Sequence, residues 1–137
     1  MPAFTCSPPI EAGVTPDAGD VFVQTIELRD GDRLLARAKW SSNPDTAVGV
    51  AQLLELWVAP ESRRQGNGRR LMEELTRQAV GYYKARKSRL RRVWAAIAQK
   101  RDVIARSFLM RYTFHHVGTV KELLRDEDML VYMRTMD

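Results

Sequence analysis

The chain is expected to fold as α/β, with a mixed, mostly antiparallel central sheet and flanking helices. Three observations predict this class. Two β-branched and apolar runs, residues 21–26 and 34–40, flank Asp30-Gly31, a dipeptide suited to a tight hairpin. An amphipathic stretch over residues 68–84 stands between two apolar runs, 48–58 and 93–97, so strand, helix and strand make a crossover whose two strands are parallel. Two further apolar runs, 114–120 and 129–134, close the chain.

Taken in order, residues 1–19 hold Pro2, Pro8, Pro9, Pro16 and two glycines with little apolar periodicity. They read as an irregular leader, and residues 20–137 as a single domain. The hairpin follows. Residues 48–58 form a long apolar run interrupted by Gln52 and Glu55 and closed by Pro60, which suits a strand at the centre of the sheet. Over 68–84, Leu71, Met72, Leu75, Ala79, Val80 and Tyr83 make a helical stripe, with Arg69, Glu73, Glu74, Arg77 and Lys84 on the other side. Asp102 is placed to cap a short helix bearing Ile104, Phe108 and Tyr112. The polar stretch 121–128 joins the two closing strands.

Composition bounds the function classes. With 137 residues and 45% apolar content there is material for one core. No apolar run of about 18 residues and no basic-then-apolar start are present, so the expectation is a cytoplasmic protein without a membrane partner. Cys6 is the lone cysteine, and His115 and His116 are neighbours on an expected strand, pointing to opposite faces, so no metal site is expected. The net charge of +5 is uneven: 15 of 22 Lys and Arg lie between Arg63 and Arg111, against Glu73, Glu74 and Asp102. Such a patch suits a polyanion, either a phosphorylated cofactor or a nucleic acid, or is simply a solvated face.

The segment with chemistry in it is Leu56-Trp57-Val58-Ala59-Pro60-Glu61-Ser62-Arg63-Arg64-Gln65-Gly66-Asn67-Gly68-Arg69-Arg70-Leu71-Met72. A strand ends, Pro60 turns the chain, two glycines spaced by one residue open a loop, and a helix starts at once. Unpaired N–H groups at such a helix start, with the positive end of the helix dipole behind them, suit a diphosphate. No Gly-Lys-Ser/Thr follows, and the glycine spacing does not fit a dinucleotide fingerprint.

Arg63-Arg64-Gln65-Gly66-Asn67-Gly68 resembles the acetyl-CoA signature of the GCN5-related N-acetyltransferase superfamily, Arg/Gln-x-x-Gly-x-Gly/Ala, and the element order after residue 20 follows that family. The resemblance implies a GNAT-like fold with the N-terminal strand and acceptor-site helices shortened or missing. It also implies acetyl-CoA as donor, with its pyrophosphate on the loop from Arg63 through Arg64, Gln65, Gly66, Asn67 and Gly68 to Arg69. Its pantetheine arm would run along the backbone of Leu56, Trp57 and Val58, between strands that splay at this point. The implied reaction is acetyl transfer to a primary amine by direct attack in a ternary complex, with the Val58 amide polarising the thioester.

The pattern departs from the family in two places. Asp102 stands where an Asn is common, and Leu109 where a Tyr protonates the leaving thiolate. Tyr112, one helical turn on, is the candidate acid, with a core aromatic as the other reading. Glu55 is the candidate base, since an attacking amine must lose its proton; a salt bridge to an Arg on a neighbouring strand is the equal alternative. The short N-terminal part leaves the acceptor site open, or completed by a second copy of the chain. The rival function is a non-catalytic module of the same fold that binds acyl-CoA, or a nucleic acid or protein, through the basic cluster at 84–92. Only Tyr82 and Tyr83 lie near that cluster as stacking aromatics, so nucleic acid is not the expected partner.

Overall fold

The computed structural model describes residues 2–10, 21–124 and 126–136. Among the described residues are seven strands and two α-helices: β1 (Ala3–Ser7), β2 (Val23–Asp30), β3 (Arg33–Ser42), β4 (Val50–Val58), α1 (Asn67–Ala85), β5 (Arg92–Ala98), α2 (Val103–Arg111), β6 (His115–Leu124) and β7 (Glu127–Thr135). The strands form one sheet in the order β1-β2-β3-β4-β5-β7-β6. Only β4 and β5 are parallel among neighbours, as the intervening helix requires. The mixed α/β class and the mostly antiparallel sheet are as the sequence predicts.

Cross-strand register sorts the side chains. In β2 and β3 the pairs Gln24↔Trp40, Ile26↔Ala38 and Leu28↔Ala36 share one face, and all six residues are buried under α1. From α1 come Leu71, Met72, Leu75, Ala79, Tyr82 and Tyr83. Each buried Leu or Met is worth about 1.5–3 kcal/mol relative to exposure. Val80, expected in this stripe, is 42% exposed, while Tyr82 takes the inward place, in contact with Phe22 (ring centroids 4.8 Å) and Trp40 (5.7 Å). A polar link crosses the core. Gln24 accepts from Trp40 Nε1 at 2.8 Å and donates to Gln78 of α1 at 3.0 Å, so its buried amide is satisfied at both ends.

Three expectations are corrected. Residues 3–7 are not irregular: they pair antiparallel with β2, Phe4 opposite Leu28 and Cys6 opposite Ile26. Phe4 and Cys6 alternate onto the core side, a period-2 signal hidden by the surrounding prolines. Burial there pushes the Cys6 thiol above its ordinary range. The remainder of the expected leader, residues 11–19, lies outside the described residues. Asp102 precedes α2 as expected, yet its side chain does not cap the helix; Oδ2 accepts from the Ala98 N–H at 2.7 Å, closing the loop between β5 and α2. The stretch 121–128 is largely strand, with β6 running to Leu124 and β7 starting at Glu127.

Neither helix is long and apolar enough to cross a membrane.

Candidate active site

The sheet opens at its centre. β4 and β5 pair only over Val50↔Arg92, Ala51↔Val93 and Gln52↔Trp94, although β4 continues to Val58 and β5 to Ala98. The register of β3 against β4 shifts between Lys39 and Trp40, where Glu55 and Leu53 are the successive partners and Leu54 is the extra residue. That bulge bends β4 away from β5. Past Gln52 the β4 edge facing β5 has no ladder partner. The resulting cleft, about 220 Å³, is lined by Leu53 to Leu56 on one wall and Ala95, Ala96 and Ile97 on the other, with Asp102, Ala105 and Leu109 of the α2 segment at its side. Alanines on β5 keep it open.

The loop after β4 leads to the head of α1. Pro60–Ser62 makes one 3₁₀ turn, Arg64 adopts φ +64°, and Gly66 sits before the helix at φ +79°. That backbone state favours glycine, and nothing lies within 4 Å of where a Gly66 Cβ would stand. α1 starts without a side-chain cap and without an acidic residue in its first turn. Its leading N–H groups therefore face an open, positive helix end. Arg63 to Gly66 are exposed; Arg63 Nε donates to the Val58 carbonyl at 3.3 Å, and Arg69 pairs with Glu73 at 3.1 Å. Arg64 and Arg70 form no ion pair among the described residues.

The second glycine has a different task. A Cβ on Gly68 would lie 2.4 Å from Phe108 Cε2, so Gly68 is the seat on which α2 rests against α1. Asn67 is buried beside it and donates from Nδ2 to the Ser62 carbonyl at 3.2 Å, tying loop to helix. Leu56, Trp57 and Val58 end β4, and the loop from Arg63 to Arg69 joins that end to α1.

Glu55 borders the cleft, and its carboxylate accepts from Arg37 Nε at 3.0 Å. Arg37 also meets Glu27 at 3.7 Å. The salt-bridge reading is therefore realised, with the Glu55 side chain still 40% exposed. Arg37 is paired across the sheet with Trp57 and Glu27, and Lys39 with Glu55 and Thr25, so this face, opposite α1, is a charged surface beside the cleft.

Tyr112 is not brought to the cleft. It ends α2 with its ring 4.5 Å from Phe108, and lines a separate 300 Å³ cavity with Arg69, Met72, Glu73, Thr76 and Arg134. Burial pushes its hydroxyl above the ordinary range, against the pull of Arg69 and Arg111. The reason is position along the helix: Ala105 and Leu109, four residues apart, line the cleft, whereas Tyr112 lies beyond the last residue of α2, as its C-cap.

One supporting group is legible only in the structure. Glu127 is 6% exposed; its Oε2 accepts from the Lys100 N–H at 2.8 Å and its Oε1 from Arg101 Nε at 2.5 Å. Burial alone would raise its pKa, but the bonds from Arg101 and the Lys100 amide outweigh it and hold the carboxyl below the ordinary range. Together with the Asp102 bond to Ala98, this fixes the entry to α2, hence the side of the cleft.

A sequence model of the Acetyltransferase (GNAT) family matches residues 7–114. Among solved structures, a GNAT-family acetyltransferase from Desulfovibrio desulfuricans is similar with a TM-score of 0.68 at 23% identity, over 82% of this chain and 69% of that one. The IAA acetyltransferase from Bacillus cereus gives 0.67 at 11% identity, over 83% and 78%, and the ribosomal-protein-S18-alanine N-acetyltransferase from Escherichia coli 0.62 at 16%, over 90% and 72%. Comparison with curated proteins gives no match. The structures share the fold, the family match spans most of the chain, and the chain belongs to the acetyltransferase (GNAT) family.

Proposed function

We propose that the protein transfers an acetyl group from acetyl-CoA to a primary amine by direct attack in a ternary complex. The observation that carries this is the join of two backbone features: the β4 edge that loses β5 after Gln52, and the uncapped start of α1 beyond it. Acetyl-CoA has a long amide-bearing arm and a diphosphate, and these features offer each a matching surface. In this reading the arm pairs with the backbone of Leu56, Trp57 and Val58, and the diphosphate meets the amides of Arg63 to Arg69 and the free charge of Arg64 and Arg70.

The acceptor approaches on the charged face opposite α1, where Glu55 stands. Arg37 holds the Glu55 carboxylate through Nε at 3.0 Å, and a water between carboxylate and amine is the path for the proton. The Val58 amide polarises the thioester carbonyl as negative charge develops on its oxygen. With Leu109 and Ala105 at the cleft and Tyr112 outside it, no side-chain acid is assigned. A thiol of pKa about 8.5 leaves as the thiolate at neutral pH, and water protonates it. The acceptor wall consists of Glu27, Arg37, Glu55 and Trp57 in this reading, or of these with a second copy of the chain. Location in the cytoplasm accords with it.

Thiol release from acetyl-CoA across a panel of primary amines tests the proposal. Turnover with at least one amine, and a loss of about 10²-fold or more in Glu55→Gln with cofactor binding kept, is expected. Cofactor binding without turnover on any amine, peptide N-termini and lysines included, would instead favour the non-catalytic reading.

A further inference from the structure

The strongest feature not used by the cofactor lies at the far end of α1. Residues 84–92 carry Lys84, Arg86, Lys87, Arg89, Arg91 and Arg92, and no Asp or Glu occurs between Glu74 and Asp102. α1 has 19 residues, so at 1.5 Å per residue this segment stands about 28 Å from the loop at Gly66. That distance removes it from any part in holding the cofactor diphosphate. Among the described residues Lys84, Lys87, Arg89, Arg91 and Arg92 form no ion pair, and all five are exposed.

The segment is also built rather than loose. Ser88 Oγ donates to the Thr46 carbonyl at 2.7 Å and its N–H to the Tyr83 carbonyl at 2.9 Å. The N–H groups of Arg91 and Arg92 both reach the Gly49 carbonyl, at 2.7 and 3.2 Å. Leu90 is buried, which anchors the segment to the core and turns its neighbours outward. Arg86 lies over the Tyr82 ring, 3.6 Å from its centroid. Five unpaired cations on a pinned backbone lose little further freedom on meeting a partner.

We propose that this end of the molecule binds the phosphate backbone of a nucleic-acid duplex, independently of the acetyl-CoA site. Tyr82 and Tyr83 are fully buried, so neither gives a platform on which single-stranded bases could stack. Backbone contact without base stacking is the mode that remains for a nucleic acid, and it suits a duplex. An acidic protein surface would be met by a patch with an apolar or aromatic centre, and an anionic membrane by inserted apolar side chains. Here the large apolar member, Leu90, is buried, and the exposed apolar groups near it, Ala85 and Val48, are small and scattered rather than a centre of that kind.

Fluorescence anisotropy of the full chain with a labelled 20-base-pair duplex, as RNA and as DNA of the same sequence, between 50 and 200 mM salt, tests this. Four or five phosphate contacts predict a slope of log K on log salt of about −3.6 to −4.5. The triple variant Lys87→Ala, Arg89→Ala, Arg91→Ala is expected to lower that slope by about 2.7 and weaken binding at least tenfold, with acetyl-CoA affinity and thermal midpoint retained. Arg63→Ala with Arg64→Ala, at the other end, is expected to leave duplex binding unchanged. The proposal fails if neither duplex binds at 50 mM salt, if the variants at the two ends weaken binding equally, or if polyglutamate or anionic vesicles compete as well as unlabelled duplex.

Discussion

Replacing Gly68 by alanine tests how the two helices frame the cleft. The added methyl would stand 2.4 Å from Phe108 Cε2 and 3.0 Å from its Cζ. Carbon atoms rest at about 3.5–4.0 Å, so the ring must withdraw by about 1.1 Å or more. Tyr112 backs the ring at 4.5 Å, which leaves little room for withdrawal without moving α2. Overpacking of this kind costs about 1–3 kcal/mol, while alanine in place of glycine returns up to about 1 kcal/mol to the helix. A net loss of about 1 kcal/mol is expected, which for a chain of this size lowers the thermal midpoint by about 3–5 °C. Thermal and urea melts of Gly68→Ala, Phe108→Ala and the double variant give the coupling. In the Phe108→Ala background the alanine is expected to stabilise, for a coupling of about 1–3 kcal/mol. A Gly68→Ala protein more stable than the parent, or an equal effect in both backgrounds, would refute the contact between these residues as the reason for the glycine.

Other changes have separable outcomes. Gly66→Ala places a side chain at φ +79° in open space, so it should cost about 1–2 kcal/mol by chemical denaturation whatever stands at position 108. Arg64→Ala and Arg70→Ala each remove an exposed charge from the helix start; after allowance for solvent screening, each should weaken acetyl-CoA about 2–5-fold by calorimetry, more at low salt than at high. Glu127 has its carboxyl held below the ordinary range, so its contribution to stability is complete above the unfolded value of about 4.3 and is lost as pH falls through the folded value. The stability gap between the parent and Glu127→Gln should therefore be widest near neutral pH and close on acidification, in melts taken from pH 7 to pH 3; a constant gap would contradict the pairing with Arg101.

Much of this architecture is written in short-range signals. Asp30-Gly31 sets the hairpin of β2 and β3, and the stripe from Leu71 to Tyr83 sets α1, because local turn chemistry and 3.6-residue periodicity depend little on the rest of the chain. β1 was hidden because the alternation of Phe4 and Cys6 is too short to stand out among prolines; pairing with Ile26 and Leu28 makes the strand. Val80 and Tyr82 exchanged places for a related reason, since a small difference in helical phase is decided by the aromatic cluster of Phe22 and Trp40. At the candidate site, the shape of the loop from Arg63 to Arg69 was legible because it rests on backbone geometry, with Gly66 at positive φ before the helix, which glycine spacing reports. Side-chain roles were less so. Glu55 was placed beside the cleft, but its partner Arg37 sits 18 residues away on another strand. Tyr112 misses the cleft by one turn of helix.

Hydrogen exchange with and without acetyl-CoA tests the central claim most directly, that the cofactor takes the place β5 vacates along β4. Acetyl-CoA is expected to slow exchange in segments covering residues 53–58 and 64–70 and to leave 84–92 unchanged. Binding without protection along 53–58, or protection centred on the basic segment, would contradict it.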